Sequence, residues 1–145
     1  MIHTLKHLAL INQISPSHFI LVGDNQETSE NAKISQDLSD KNIDFQDLTG
    51  KTNLTELVDI ISSVDLLITI DSGAMHIAAA TKTAFVAVVG LGTSPWSIVE
   101  PKCENKIFLV ANGNSLNDAE IIKEISPEKK VETVFSLLKN KITFL

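Results

Sequence analysis

Leu66-Leu67-Ile68-Thr69-Ile70-Asp71-Ser72-Gly73-Ala74-Met75-His76-Ile77-Ala78-Ala79-Ala80 decides the fold of this chain. It opens as an apolar run of Leu and Ile. Such a run reads as a strand buried on both faces, the kind found inside parallel sheets. It passes through Asp71-Ser72-Gly73 without a spacer and becomes an Ala-rich run that favours helix. Asp71 or Ser72 suits the N-cap, and Gly73 lets the backbone turn tightly and a ligand approach. A strand end that feeds a helix start is where open α/β sheets bind ligands. The free N–H groups and the helix dipole there favour an anion such as a phosphate. Two readings follow. One is a phosphate-bearing ligand held at this turn with His76 facing it. The other is a well-capped βα junction with no ligand.

Outward from this stretch, strands and helices alternate. On the N-terminal side, Ile2, Leu5, Leu8 and Ala9 have helical spacing, and Ser15-Pro16-Ser17 breaks it. His18-Phe19-Ile20-Leu21-Val22 reads as a strand ended by Gly23-Asp24-Asn25. Residues 27–40 read as an exposed amphipathic helix with Ala32, Ile34 and Leu38 on one face. Ile43 to Leu48 alternates as a short strand, and Thr49-Gly50-Lys51-Thr52 is a loop. Asn53 with Glu56 three residues on forms a variant capping box for a helix through Ile61. On the C-terminal side, residues 83–89 read as a buried strand that runs into Gly90-Leu91-Gly92-Thr93-Ser94-Pro95. Lys106 to Val110 is a further strand. A short helix over 117–125 and a last helix from Ser126-Pro127-Glu128 to about Lys139 follow, with an apolar tail at Ile142–Leu145. This order predicts an α/β fold with a mostly parallel sheet and helices on both faces. No repeat or linker divides residues 1–145, so one domain is expected.

The chain has 145 residues, 43% hydrophobic, with a net charge of −6 and 12 cationic residues, every one of them Lys. An acidic chain without Arg is a poor reader of nucleic acid, so none is expected as a partner. A phosphate would have to rely on backbone N–H groups, hydroxyls, a Lys or a His. Cys103 is the only cysteine, which precludes an internal disulfide and fits a cytoplasmic setting. The first residues lack the pattern of a signal peptide, and no apolar run approaches the roughly 20 residues of a membrane span. His3, His7 and His18 have no partners at metal-ligand spacing, and Cys103 has no activating neighbour beyond Lys102 and Lys106. Trp96 reads as a cover for the sheet edge rather than a platform for a base.

Three segments together resemble the C-terminal half of glycosyltransferase family nine, the heptosyltransferases of lipopolysaccharide core assembly. They are Leu48 to Leu57, Val64 to Ala80, and Phe85 to Gly90, in that order and spacing. Ile125-Ser126-Pro127-Glu128 before an apolar helix also resembles the end of that family. The likeness covers about residues 18–140. It implies a Rossmann-like domain, one half of a GT-B glycosyltransferase, that binds a nucleotide sugar such as ADP-heptose, or ADP, without a metal. Carried over by motif position, Asp71, Ser72, Gly73, Ala74, Met75 and His76 would line the donor's phosphates and sugar. Thr52 beside Lys51 would contact the adenine mainly through its backbone, and Glu27 would sit near the ribose. Gly90, Gly92 and Thr93 would form the loop beside the sugar.

The departures from the family are equally specific. The resemblance implies that the acceptor site and the general base belong to an N-terminal domain outside these residues, so no catalytic residue is expected here. It also implies that the chain lacks the strand opening the domain, which is central in the family's sheet and supplies a Lys to the phosphates, since residue 1 falls in the helix after it. Lys51 is the candidate to stand in for that Lys. Leu91 occupies a position where the family usually has Pro. The expectation is a donor-binding half, inactive alone or nearly so. The missing N-terminal half or a second copy is its expected partner, and the intact enzyme is expected to associate peripherally with the inner membrane. A nucleotide-binding module without turnover, or a remnant without a ligand, is the alternative.

Overall fold

The computed structural model describes residues 17–89, 96–104 and 106–110, with positions 12, 132 and 136. The chain divides into two compact units, Met1–Leu57 and Val58–Leu145. The expected helices over 1–13, 117–125 and 126–139, and the tail at 142–145, lie outside the described residues. So does the 90–95 loop.

In the first unit, β1 (Phe19–Leu21) pairs in parallel with β2 (Phe45–Asp47), with Phe19 opposite Phe45 and Leu21 opposite Asp47. Both strands are shorter than the apolar runs suggest. Asp24 starts a turn directly after β1, and Asn42 adopts a left-handed φ of 52° just before β2. Between the strands, a 3-10 turn at Asn25–Glu27 leads into α1 (Thr28–Asp40). The turn is set by a capping box. Asp24 Oδ1 accepts from the N–H groups of Gln26 and Glu27, and Glu27 Oε2 accepts from the Asp24 N–H. At its other end, α1 closes when the Ile43 N–H reaches back to the Leu38 carbonyl at 3.0 Å, a Schellman closure with Asn42 in the left-handed position. Leu38 and Ile43 form the core of this unit, packed by Phe19, Leu21, Ile34 and Phe45. The unit boundary falls inside α2 (Leu54–Ser63). That helix starts as the sequence predicts. Asn53 Oδ1 accepts from the Glu56 N–H at 3.0 Å, and Glu56 Oε2 accepts from the Asn53 N–H at 2.8 Å.

In the second unit, β3 (Leu66–Ile70), β4 (Ala84–Val89) and β5 (Lys106–Val110) form a parallel sheet in the order β3-β4-β5. Ile68 lies opposite Val86, which lies opposite Ile107. Helix α3 (Gly73–Thr81) packs on β3 and β4 and ends with Lys82 at a φ of 62°. The short α4 (Trp96–Val99) precedes β5, and Trp96 meets the Phe108 ring edge-on at 4.7 Å, covering that strand as expected.

Here one expectation is corrected. The strand buried on both faces is β4, all six of whose residues are buried, and not β3. None of the five β3 residues is buried, and Ile68 and Ile70 are 45% and 55% exposed. The reason is position. β4 has a hydrogen-bonded neighbour on each side, whereas β3 pairs only with β4 among the described residues. Composition alone does not tell an inner strand from an outer one. Among the described residues no helix is long and apolar enough to cross a membrane.

Candidate functional site

In the second unit the decisive feature is the start of α3. Ser72 occupies the N-cap position with extended backbone, φ −155° and ψ 174°, but its side chain makes no capping hydrogen bond. Its hydroxyl pairs instead with the Thr69 hydroxyl, 3.1 Å away at the end of β3. Ser72 thus takes the N-cap position that the sequence offers to Asp71 or Ser72, though its side chain bonds Thr69 and not the helix N–H groups. Asp71 is exposed, and Ser72 is held by its strand. The Met75 N–H reaches the Ser72 carbonyl at 3.1 Å, while the N–H groups of Gly73 and Ala74 have no protein acceptor among the described residues. Two of the donors that a helix start leaves unsatisfied thus stay open.

Gly73 adds to this opening. Its φ is not in the left-handed region, and a Cβ added there would meet nothing within 4 Å. The expected need for a tight turn is not what this glycine serves. Among the described residues it leaves open the space that a side chain would fill beside the N–H groups. His76, three residues on, is exposed and shares that helix face. Met75 points the other way. It is 0% exposed, and its side chain belongs to the core behind the turn.

In the first unit, Glu27, Lys51 and Thr52 sit on two neighbouring turns. Glu27 is exposed, and one oxygen of its carboxylate is committed to the capping box. Lys51 Nζ donates to the Asp47 carbonyl at 2.8 Å, so this cation bends back over its own loop and does not project freely. Thr52 is half-buried, and its backbone N–H and C=O have no partner among the described residues.

The loop that carries Lys51 and Thr52 is tied down at several points. The Gly50 N–H donates to the Gly23 carbonyl at 2.9 Å, continuing the β1–β2 pairing past the strand ends. Gly50 adopts φ +67°, and a Cβ there would collide with the Asn25 amide oxygen. Thr49 is 7% exposed. The Asp47 carboxylate accepts from Ser35 Oγ at 2.8 Å and from the Thr49 N–H at 2.9 Å. Partial burial pushes the Asp47 carboxyl up. The hydrogen bonds from Thr49 and Ser35, with the Lys51 charge, outweigh that effect and hold its pKa below the usual carboxylate range. No local motif marks Asn31, Ser35 and Asp47 in the sequence. The one sign is an Asn and a Ser at i, i+4 on the helix face that also carries Leu38.

Gly90, Gly92 and Thr93 lie outside the described residues. No group of three metal-ligating side chains occurs among the described residues. His18 pairs with Asp44 at 2.8 Å, and Cys103 is free and half-buried. Away from both turns, Glu100 is held below its usual range by hydrogen bonds from Lys106 and then Lys102. Lys106 also lies 4.9 Å from the Phe108 ring centroid, so this cluster braces β5.

Three comparisons agree on what this architecture belongs to. The family model described as glycosyltransferase family 9 (heptosyltransferase) matches residues 6–131. A lipooligosaccharide heptosyltransferase 2 of Campylobacter jejuni is 34% identical over 136 residues, which is 87% of this chain and 43% of that protein. A protein of the same description from Haemophilus influenzae is 35% identical over 106 residues, 63% of this chain and 29% of its own length. Among solved structures, the E. coli ADP-heptose LPS heptosyltransferase II superposes with a TM-score of 0.81 at 22% identity, covering 96% of this chain and 41% of that one. A family 9 glycosyltransferase from Veillonella parvula gives 0.76 at 21% identity, over 95% and 41% of the two chains. The chain thus spans less than half the length of these relatives. Its parallel sheets with helices are the Rossmann-like α/β fold of GT-B glycosyltransferases. The chain belongs to glycosyltransferase family 9, the heptosyltransferase family.

Proposed function

We propose that this chain is the donor-binding half of a heptosyltransferase and holds ADP-heptose or a related nucleotide sugar. The observation that carries this reading is the open start of α3. Among the described residues the N–H groups of Gly73 and Ala74 have no acceptor, no side chain caps them, and a Cβ at Gly73 would meet nothing within 4 Å. A diphosphate suits such a helix start, because the N–H groups and the helix dipole favour negative charge. His76 on the same face adds a donor.

In the intact enzyme the diphosphate is the leaving group. Charge grows on it as the sugar–phosphate bond breaks, and donors already aimed at it stabilise that charge without reorganising. Asp71 is a poor partner for a phosphate, since both are anionic, and it suits the hydroxyls of the sugar instead. Thr52 offers a backbone N–H and C=O to the adenine, and Glu27 offers its free carboxylate oxygen to the ribose. The general base and the acceptor wall belong to the other half. This chain alone therefore binds the donor and does not transfer the sugar. The whole enzyme passes it, with inversion and without a metal, to a lipopolysaccharide-type acceptor in the cytoplasm at the inner membrane.

Calorimetry with ADP and ADP-heptose tests this. Binding by the parent chain that is lost in Gly73→Ala and in His76→Ala supports a donor site at α3. A parent chain that binds neither ligand overturns the reading. Heptosyl transfer at ordinary enzymatic rates by the purified chain alone would overturn the division of labour.

A further inference from the structure

Ser72 stands at the N-cap of α3 with the extended backbone of an ordinary cap, yet its side chain makes no bond to the helix. Serine is among the strongest N-cap residues, because its oxygen accepts from the second or third N–H of the helix. Those N–H groups belong to Ala74 and Met75. The backbone is therefore set for a cap, and only the direction of the hydroxyl prevents one. That direction is explained by a single residue, Thr69 in β3. The two hydroxyl oxygens lie 3.1 Å apart, and Thr69 Oγ1 also donates to the Ile70 carbonyl at 3.1 Å. A hydroxyl carries one hydrogen. With the Thr69 hydrogen on Ile70, the bond between the two hydroxyls takes its hydrogen from Ser72. A short chain results, from Ser72 to Thr69 to the Ile70 carbonyl. It draws the Ser72 oxygen toward the strand and away from the helix. The Met75 N–H already has the Ser72 carbonyl at 3.1 Å. The donor that a serine cap would take is thus the Ala74 N–H, one of the two left open.

We propose that Thr69 is a positioning residue that keeps α3 uncapped for the diphosphate, a role that rests on the donor-binding reading above. It acts through Ser72 and not on the ligand. The Ser72 hydroxyl and an anion compete for the same N–H, and Thr69 holds the competitor away before the anion arrives. Without the Thr69 hydroxyl, Ser72 rotates about one side-chain bond, caps α3 and has to be displaced each time a diphosphate binds. All the groups involved belong to one unit, Val58–Leu145.

The test titrates ADP calorimetrically against the parent chain, Thr69→Val, Thr69→Ser and the double variant Thr69→Val/Ser72→Ala. Thr69→Val removes the hydroxyl at nearly constant volume and suits a strand, so its fold is expected to survive. A circular dichroism spectrum like the parent's checks this, and Thr69→Ala replaces it if it does not fold. The expected result is about a fivefold weaker ADP affinity in Thr69→Val, the equivalent of one typical N-cap bond that the ligand has to break. Thr69→Ser keeps the hydroxyl and most of the affinity. The double variant binds ADP more tightly than Thr69→Val, because the competing cap has gone. A role for Thr69 in merely stiffening the turn predicts the opposite, since the second substitution then adds to the loss. A double variant as weak as Thr69→Val, or weaker, therefore overturns this inference. Parent-like ADP affinity in a folded Thr69→Val also overturns it and leaves the donor site standing. A parent chain that does not bind ADP overturns the donor-site reading itself, and this inference with it.

Discussion

Thr83 Oγ1 donates to the Ile61 carbonyl at 2.8 Å, twenty-two residues away, and so ties the start of β4 to the last turn of α2. Thr83 is buried, and its hydroxyl also lies 2.9 Å from that of Thr81. The Ile61 carbonyl is one of those that a helix end leaves without an intrahelical partner, and here a side chain supplies the donor.

Thr83→Val keeps the volume but strands that carbonyl in the interior. The expected cost is about 1–3 kcal/mol, the penalty of a buried polar group without a partner. Urea unfolding of parent and variant measures it, and a change under a few tenths would show that water replaces the hydroxyl.

Phe85 is fully buried in β4 and meets Phe108 of β5 in an edge-on contact with ring centroids 5.9 Å apart. Phe85→Ala leaves a cavity in the middle of the sheet face and is expected to cost about 3–5 kcal/mol. Phe85→Leu refills most of the space and should cost clearly less. Denaturation midpoints of the two variants rank them.

Gly73 and Gly50 are expected to respond in opposite ways. Gly73→Ala meets no neighbour, sits at the first position of α3 and needs no left-handed backbone, so folding stability rises by about 0.4–1 kcal/mol. ADP binding falls in the same variant, because the new methyl occupies the ligand's space. Gly50→Ala forces a Cβ onto Asn25 at φ +67° and loses more than about 1 kcal/mol. Paired thermal melts and ADP titrations check both. A Gly73→Ala chain that binds ADP like the parent removes the argument for a ligand at α3.

Asp47 makes part of the stability pH-dependent. Its folded pKa lies below the unfolded value of about 4, so the carboxylate's contribution is complete above that pH. The contribution fades as the pH falls through the folded pKa, because protonation removes the acceptor for Ser35 and Thr49. Parent and Asp47→Asn are therefore expected to differ most near pH 7 and to converge below about pH 4. Urea midpoints across that range check the sign, and a gap that widens on acidification would refute it.

The sequence alone carried the alternation of strands and helices, because apolar periodicity and turn residues act locally. It located the junction at Asp71–Gly73 and the capping box at Asn53 and Glu56, whose partners lie three residues apart. The family was legible from three motifs in order. Only the tertiary structure decided which strand is inner. The apolar runs of β3 and β4 look alike, and burial depends on which neighbours pair with each. It also gave Met75 to the core, left Ser72 without a cap because Thr69 engages its hydroxyl, and turned Lys51 back onto Asp47. The Asn31–Thr49 and Thr83–Ile61 bonds join residues 18 and 22 positions apart. Such contacts exist only once distant segments pack, and no local pattern encodes them.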